Sequence, residues 1–205
     1  MLLKITLIPY KSTSWPNIRI LLNNNILLDD LINPNNDKFF IFEKEITSLN
    51  DTNNLIIEHY NKKNSDTIID NNNDIVSDKA IELIAINFDN IDIPKVVLYD
   101  NKFYPKWPTN IIKEHKGNPP KFITNNLYFG FNGQYKFNFS KNYKAWYFTQ
   151  LMKKERMSNE ANQELITLPS GEVIETFEFA GKTIQADKTA ELTIDDLYAL
   201  IKNER

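Results

Sequence analysis

Four aspartates lie close together in a polar segment between two apolar runs. They are Asp66, Asp70, Asp74 and Asp78, and the flanking runs are LIIEHYNKK and AIELIAINFD. Calcium takes roughly six to eight oxygen ligands from carboxylates, amides, backbone carbonyls and water, and a segment of Asp and Asn can supply them. The spacing lacks the glycine and terminal glutamate of an EF-hand. The segment is therefore either a site for a hard cation or a solvated turn.

Aromatic side chains form a second group of candidate site residues. Tyr99, Tyr104 and Trp107 lie within nine positions of one another, with Phe103 between them. Aromatic rings with a polar group are common platforms for a sugar ring or a partner protein. We take these three residues as candidates for glycan or partner binding. The alternative is that they cover one open end of a core and pack against the aromatic residues near position 146.

The chain offers little for catalysis. It has no cysteine and two histidines, which excludes thiol nucleophiles and zinc sites of the thiolate type. His59 lies within a strand pattern and His115 within a lysine-rich connector, so neither context indicates a base or a ligand. Glycine-rich phosphate loops and serine-nucleophile elbows are absent. We expect no enzymatic activity and no catalytic residues.

Charge and hydropathy limit the classes of partner that this chain is expected to bind. The net charge is −3 and no lysine or arginine stripe is present, which disfavours nucleic-acid binding. No run approaches the roughly 18 apolar residues of a membrane span. We therefore expect neither nucleic acid nor membrane as a partner, and synthesis in a cytoplasm.

Short apolar runs separated by Asn, Asp, Ser and Pro predict a mainly β protein. Residues 1–104 are expected to form a jelly-roll-like antiparallel β-sandwich. Its predicted strands cover residues 4–10, 17–23, 25–29, 39–46, 55–60, 80–88 and 96–104. Asparagine tolerates positive φ, so residues 23–25 predict a hairpin turn, and Asp100 with Asn101 predicts another. Strand 80–88 carries apolar residues on both faces, with one strict alternation, and should be central.

The remaining residues predict a connector, a hairpin, a helix and a tail. Residues 105–141 hold a proline-rich connector and an aromatic hairpin, in which Asn132 and Gly133 supply a type I′ turn. Helical spacing predicts a helix over residues 143–165 that docks at its start. The third segment, residues 142–205, adds to this helix an extended docking tail with turns at 170–171 and 180–181 and a short helix over 194–203.

Asn64, Ser65 and Asp66 follow one predicted strand, and the element from Asp78 to Ile81 opens the next. In these residues the first 95 or so positions of the chain resemble the calcium-dependent carbohydrate-binding modules of the xylan-binding type. The resemblance implies that Asp66 and Asp78 help to hold a calcium ion that coordinates sugar hydroxyls. A calcium-dependent glycan-binding function would take Asp74 as a further ligand. Lys79 and Ala80 stand where that family has Arg and Asn, and the intervening segment is longer.

The whole chain also resembles uncharacterised virion proteins of tailed marine bacteriophages, on the segments YDNKFYPKWP and NLYFGFNG and on the polar helix with its tail. This resemblance implies a non-enzymatic structural component of a virion, a capsid or tail accessory made in the host cytoplasm. Other virion proteins in a multi-copy assembly would be its partners, reached through the C-terminal helix and tail. The alternative function is a calcium-dependent glycan-binding module for host attachment.

Overall fold

The computed structural model describes residues 1–72, 74–160, 174–179 and 182–187. The chain divides into two compact units, Met1–Leu151 and Met152–Arg205. Antiparallel sheets make up most of the first unit. Within the described ranges, no helix is both long enough and apolar enough to cross a membrane.

The strands of the first unit follow one another with few helices between them. In chain order they are β1 (Leu2–Tyr10), β2 (Asn17–Leu22), β3 (Asn25–Leu31), β4 (Phe40–Glu45), β5 (Thr52–Tyr60), β6 (Thr67–Ile69), β7 (Ile75–Asp78), β8 (Ala80–Phe88), β9 (Ile91–Asp92), β10 (Lys102–Pro105), β11 (Tyr128–Phe129) and β12 (Gly133–Ser140). The helices are α1 (Lys95–Tyr99), α2 (Thr109–Glu114) and α3 (Tyr143–Glu160). In the second unit, β13 (Ile174–Phe179) pairs antiparallel with β14 (Lys182–Asp187).

Two five-stranded sheets share one hydrophobic core. One sheet has the strand order β11-β8-β1-β4, with β9 beside β8, and the other has the order β10-β12-β5-β2-β3. Buried apolar side chains of both sheets belong to a single cluster, and Phe88 of β8 meets Phe139 of β12 with ring centroids 4.5 Å apart. The predicted mainly β class, antiparallel sheets and C-terminal helix are thus confirmed.

Local sequence accounts for the first strands and their turn. In β1 the side chains of Leu3, Ile5 and Leu7 are buried while their neighbours are partly exposed, because alternate side chains of a strand point to opposite faces. β2 and β3 form the predicted hairpin. Its turn residues Asn23 and Asn24 have φ of 52° and 67°, the left-handed conformation that asparagine tolerates.

The alternation predicted for strand 80–88 is interrupted. β8 is an interior strand, as expected, but Ile81 and Leu83 are buried in its first half and Ile86 and Phe88 in its second. The register with β1 shifts between Thr6 and Leu7, which leaves Ile84 as an extra residue in β8. Such a β-bulge moves the following side chains to the other face, so the prediction of one strict alternation was wrong.

Only the second part of residues 96–104 forms a strand, which is β10. Their first part is helix α1, in which the amides of Val97 and Leu98 donate to the carbonyl of Pro94 at 2.9 and 3.1 Å. Val97 and Leu98 are buried, and the Leu98 carbonyl accepts a hydrogen bond from the Tyr135 hydroxyl at 2.8 Å. Burial of a short apolar turn therefore outweighs the strand propensity of Val and Tyr, and no hairpin forms at Asp100 and Asn101.

The predicted aromatic hairpin is also absent. β11 pairs with β8 in one sheet, whereas β12 pairs with β5 and β10 in the other. Asn132 and Gly133 therefore lie where the chain crosses between sheets, and neither has positive φ. A Cβ atom on Gly133 would lie 2.5 Å from the Tyr104 carbonyl oxygen and 2.8 Å from Pro105 Cα. This glycine permits close backbone approach and does not supply a type I′ turn.

Helices α2 and α3 complete the described structure. α2 is a six-residue helix inside the proline-rich connector, and it begins directly after Pro108. α3 begins as predicted and is described to Glu160. It docks at its start, where Tyr143 packs on Phe88 and Trp146 on Phe137, each at 5.5 Å between ring centroids. The predicted helix residues 161–165, the turns at 170–171 and 180–181 and the helix 194–203 lie outside the described residues.

Candidate functional site

The acidic segment forms a small hairpin of β6 and β7, and a lysine pairs with an aspartate on each side of its base. Asp66 ends a 3-10 turn (Asn64–Asp66) just before β6. Its carboxylate accepts hydrogen bonds from the Lys63 amide at 2.9 Å and the Thr13 hydroxyl at 2.5 Å, and Lys79 Nζ lies 3.6 Å away. Burial alone would raise the pKa of Asp66, but these donors and the lysine hold it below its usual range.

Asp78, at the end of β7, has a matching set of partners. Lys62 Nζ lies 2.5 Å from Asp78 Oδ1, and the Thr67 hydroxyl donates to the same oxygen at 2.7 Å. The Tyr128 hydroxyl donates to Asp78 Oδ2 at 3.2 Å. Burial, followed by the nearby charge of Asp78, raises the pKa of Tyr128 far above its ordinary value. The Lys62 and Asp78 side chains are each only 9% exposed.

At the tip of the hairpin another aspartate shapes the turn. Asp70 Oδ1 accepts hydrogen bonds from the amides of Asn72 at 2.8 Å and Asp74 at 2.9 Å, a local arrangement typical of aspartate in turns. Asp74 itself is exposed. The predicted calcium ligands are thus divided between the base and the tip.

The part of the chain that the structure describes contains no group of three or more His, Cys, Asp or Glu side chains arranged to hold a metal ion. A cation at Asp66 or Asp78 would have to displace a lysine from a buried pair. The calcium site at Asp66, Asp74 and Asp78 stays a prediction.

The three candidate aromatic residues lie in different local surroundings. Tyr99 is 36% exposed at the end of α1. The Tyr104 ring lies 5.9 Å from that of Phe122, and Lys136 Nζ lies 4.9 Å from its centroid. The Trp107 indole donates to the Pro120 carbonyl at 2.7 Å and packs on Phe131. Their role in glycan or partner binding stays a prediction.

A cleft of about 430 Å³ lies beside the hairpin base and was not found from the sequence. It is lined by Lys62 and Lys63 after β5, by Lys106 after β10 and by Asn132 before β12. These strands are neighbours in the order β10-β12-β5, so their ends meet at one edge of the sheet. In the sequence, the pair Lys62-Lys63 is followed much later by Lys106. The strand order is needed to recognise that these three lysines line one cleft.

Hydrogen bonds to main-chain groups connect the segments that form the walls of the cleft. The Asn132 side chain accepts from the Lys62 amide and donates to the Lys62 carbonyl, both at 2.8 Å. The Lys106 amide donates to the Asn132 carbonyl at 2.6 Å. Lys62 Nζ donates to the Gly130 carbonyl as well as to Asp78. The segments that carry the lysines are therefore joined to one another before any ligand binds.

One fully buried histidine lies behind this cleft. His59 Nδ1 lies 3.0 Å from the Phe131 carbonyl, and Nε2 has no hydrogen-bond partner within the described ranges. Burial, helped by the positive charges of Lys62 and Lys79, lowers the pKa of His59 from its ordinary value of 6.5 to about 4. The ring is therefore neutral at pH 7 and donates through Nδ1 to the carbonyl. His59 lies on β5, where the sequence predicted a strand, but only one of its two ring nitrogens has a hydrogen-bond partner within the described residues.

Comparisons with protein-family models, with curated proteins and with solved structures found no match.

Proposed function

We propose that this protein is a non-enzymatic structural component of a bacteriophage virion, a capsid or tail accessory that assembles in several copies through its C-terminal helix and tail. The observation that carries the proposal is the division of the chain into two compact units. Among the described residues, every side chain of the hydrophobic core cluster lies within Met1–Leu151. In this proposal the residues that follow bury their surface against a neighbouring subunit.

In this proposal the sandwich is jelly-roll-like and stays at the surface of the particle. The first turns of α3 are fixed to the sandwich by Tyr143 and Trp146. A helix anchored at its start gives the docking tail a defined origin. The tail would then contact other virion proteins, after synthesis of the chain in the host cytoplasm.

The hairpin of β6 and β7 offers a second surface for protein contacts, separate from the tail. Its side chains Ile68, Ile69, Ile75 and Val76 are between 46% and 66% exposed. Adjacent exposed aliphatic side chains are uncommon on monomeric proteins and mark interaction surfaces. A purely solvated acidic turn would not carry them.

The absence of enzymatic activity is part of the same proposal. Asp66 and Asp78 are paired with lysines, and His59 is buried and neutral. A general base needs access to its substrate and a pKa near the working pH. These groups instead contribute to the stability of the sandwich.

The test is incorporation into particles. Full-length chain and a chain ending at Glu160 are compared in particles assembled in infected cells, with the Ile69→Lys/Val76→Lys variant as a third sample. We expect the shortened chain to remain folded and soluble but to be lost from purified particles. The hairpin variant should be incorporated, since assembly runs through the tail.

Normal incorporation of the shortened chain would contradict assembly through the tail. Loss of the hairpin variant alone would move the docking surface to β6 and β7. Absence of the full-length chain from purified particles would overturn the virion assignment itself.

A further inference from the structure

The charged residues of the cleft are all of one sign. Lys62, Lys63 and Lys106 line it, and among the described residues no aspartate or glutamate does, although the chain as a whole has a net charge of −3. A concave site lined by one sign of charge concentrates its field and attracts ions of the opposite sign. The cleft therefore favours an anionic ligand.

The three lysines differ in what they already bind. Lys62 is paired with Asp78, and Lys106 Nζ lies 3.1 Å from Glu58 while its side chain is 67% exposed. Lys63 forms no ion pair within the described part of the chain, and it is exposed. Lys63 can therefore meet an incoming anion directly, and Lys106 has donors left for one.

Neutral polar groups at the rim suit hydroxyl groups on the same ligand. The side chains of Asn64, Thr109 and Asn110 line the cleft and are exposed. None of them forms a side-chain hydrogen bond within the described ranges. Amide and hydroxyl side chains both donate and accept, which matches a ligand that carries several hydroxyls around one anionic group.

An apolar surface completes the site. Phe131 and Ile111 line the cleft, and the Phe131 ring is supported from behind by Trp107, 5.0 Å away between centroids. The carbon-bound hydrogens of a sugar ring pack on such a surface. A compact inorganic anion would leave it unused, and the volume of about 430 Å³ lies in the range of organic ligand sites.

We propose that this cleft binds an acidic saccharide, with the carboxylate of a uronic acid unit at Lys63 and Lys106, the ring on Phe131, and the hydroxyls at Asn110 and its neighbours. Binding needs no calcium, because the positive charge comes from the lysines. The proposal concerns ligand binding and not assembly, so it stands or falls independently of the virion role.

The test is calorimetric titration of the full-length chain in a buffer with EDTA. The probes are a trimer of galacturonic acid, a neutral trimer of galactose, and pyrophosphate. The site variants are Lys63→Gln, Lys63→Gln/Lys106→Gln and Asn110→Ala. Lys113→Gln is the matched control, since Lys113 is exposed on α2 but does not line the cleft. Thermal unfolding of each variant checks that it is folded.

We expect the acidic trimer to bind at least about tenfold more tightly than the neutral one, and we expect its affinity to fall as salt is added. The double lysine variant should bind the acidic trimer with roughly tenfold lower affinity, a change typical of losing charge-assisted hydrogen bonds. Lys63→Gln and Asn110→Ala should each weaken it less, and Lys113→Gln should leave it unchanged.

Three outcomes would overturn the proposal. The first is no heat from the acidic trimer at millimolar concentration. The second is equal affinity of the Lys63→Gln and Lys113→Gln variants for that trimer. The third is pyrophosphate binding as tightly as the trimer with no effect of Asn110→Ala, which would make the cleft a plain anion site.

Discussion

At the scale of single residues, Asp66 and Asp78, two of the four aspartates of the acidic segment, each have a buried lysine partner. Lys62 with Asp78 and Lys79 with Asp66 are pairs whose side chains are all less than 10% exposed. A buried pair adds little net stability compared with apolar residues, but removing one partner leaves an uncompensated buried charge. The pairs therefore make each lysine and aspartate costly to replace singly.

The Lys62→Met variant tests this point. It should lower the free energy of unfolding by about 3 to 5 kcal/mol, because Asp78 stays buried without its cation. Lys4→Met is the control: Lys4 pairs with Glu43 at 3.0 Å, but the two side chains are 37% and 50% exposed. Its loss should cost no more than about 1 kcal/mol in urea unfolding. Equal effects of the two variants would mean that the Lys62 pair is not buried in solution.

His59 makes stability depend on pH. Its pKa is about 4 in the folded chain because burial disfavours the charged ring, against an ordinary value of 6.5. Below pH 6.5 the unfolded chain takes up a proton that the folded chain does not. Stability is thus fully present above pH 6.5 and is lost as pH falls towards 4, by up to about 3 kcal/mol.

The measurement is the unfolding free energy between pH 7 and pH 4. His59→Gln should flatten the decline in this window, while His115→Gln, a change at an exposed position, should keep the decline of the unmodified chain. Nuclear magnetic resonance of the unmodified chain should show the His59 ring still neutral at pH 5. A ring that is protonated near pH 6.5 would contradict the buried, neutral assignment.

At the scale of elements, two asparagine-containing segments show where the local sequence is sufficient to predict a turn and where it is not. Asn23 and Asn24 adopt positive φ and join β2 to β3. Asn132 and Gly133 carry a stronger hairpin signal, yet they join strands of different sheets. The first turn needs only local backbone preference, whereas the second is decided by the partners that β8 and β5 offer to β11 and β12.

Gly133→Ala should therefore act through contact and not through φ. A Cβ atom there would meet the Tyr104 carbonyl oxygen and Pro105 Cα, both backbone atoms that cannot turn aside. We expect a loss of about 3 kcal/mol, the upper part of the range for overpacking. Gly117→Ala is the control, with φ of +81° but open space around it. It should cost about 1 kcal/mol. Comparable losses in thermal unfolding would contradict the close-approach explanation.

At the scale of the whole molecule, the amino-acid sequence was sufficient to predict the elements that depend on residues close together along the chain. Alternating apolar residues predicted β1 and β2. Asparagines, which tolerate positive φ, predicted the first hairpin, and helical spacing predicted the start of α3. These patterns are local, because the side chains of a strand or helix return to the same face within a few residues. The mainly β class with antiparallel sheets followed from them.

The tertiary structure alone decided which distant residues meet. It brings Lys62 to Asp78, Lys79 to Asp66, and Lys106 to the edge shared with Lys63, and it converts an acidic segment into a hairpin with lysine-paired aspartates. It also places β11 and β12 in separate sheets and turns residues 95–99 into α1. The physical reason is that burial and ion pairing are properties of the folded surroundings, and no spacing along the chain encodes the partner that a side chain will find.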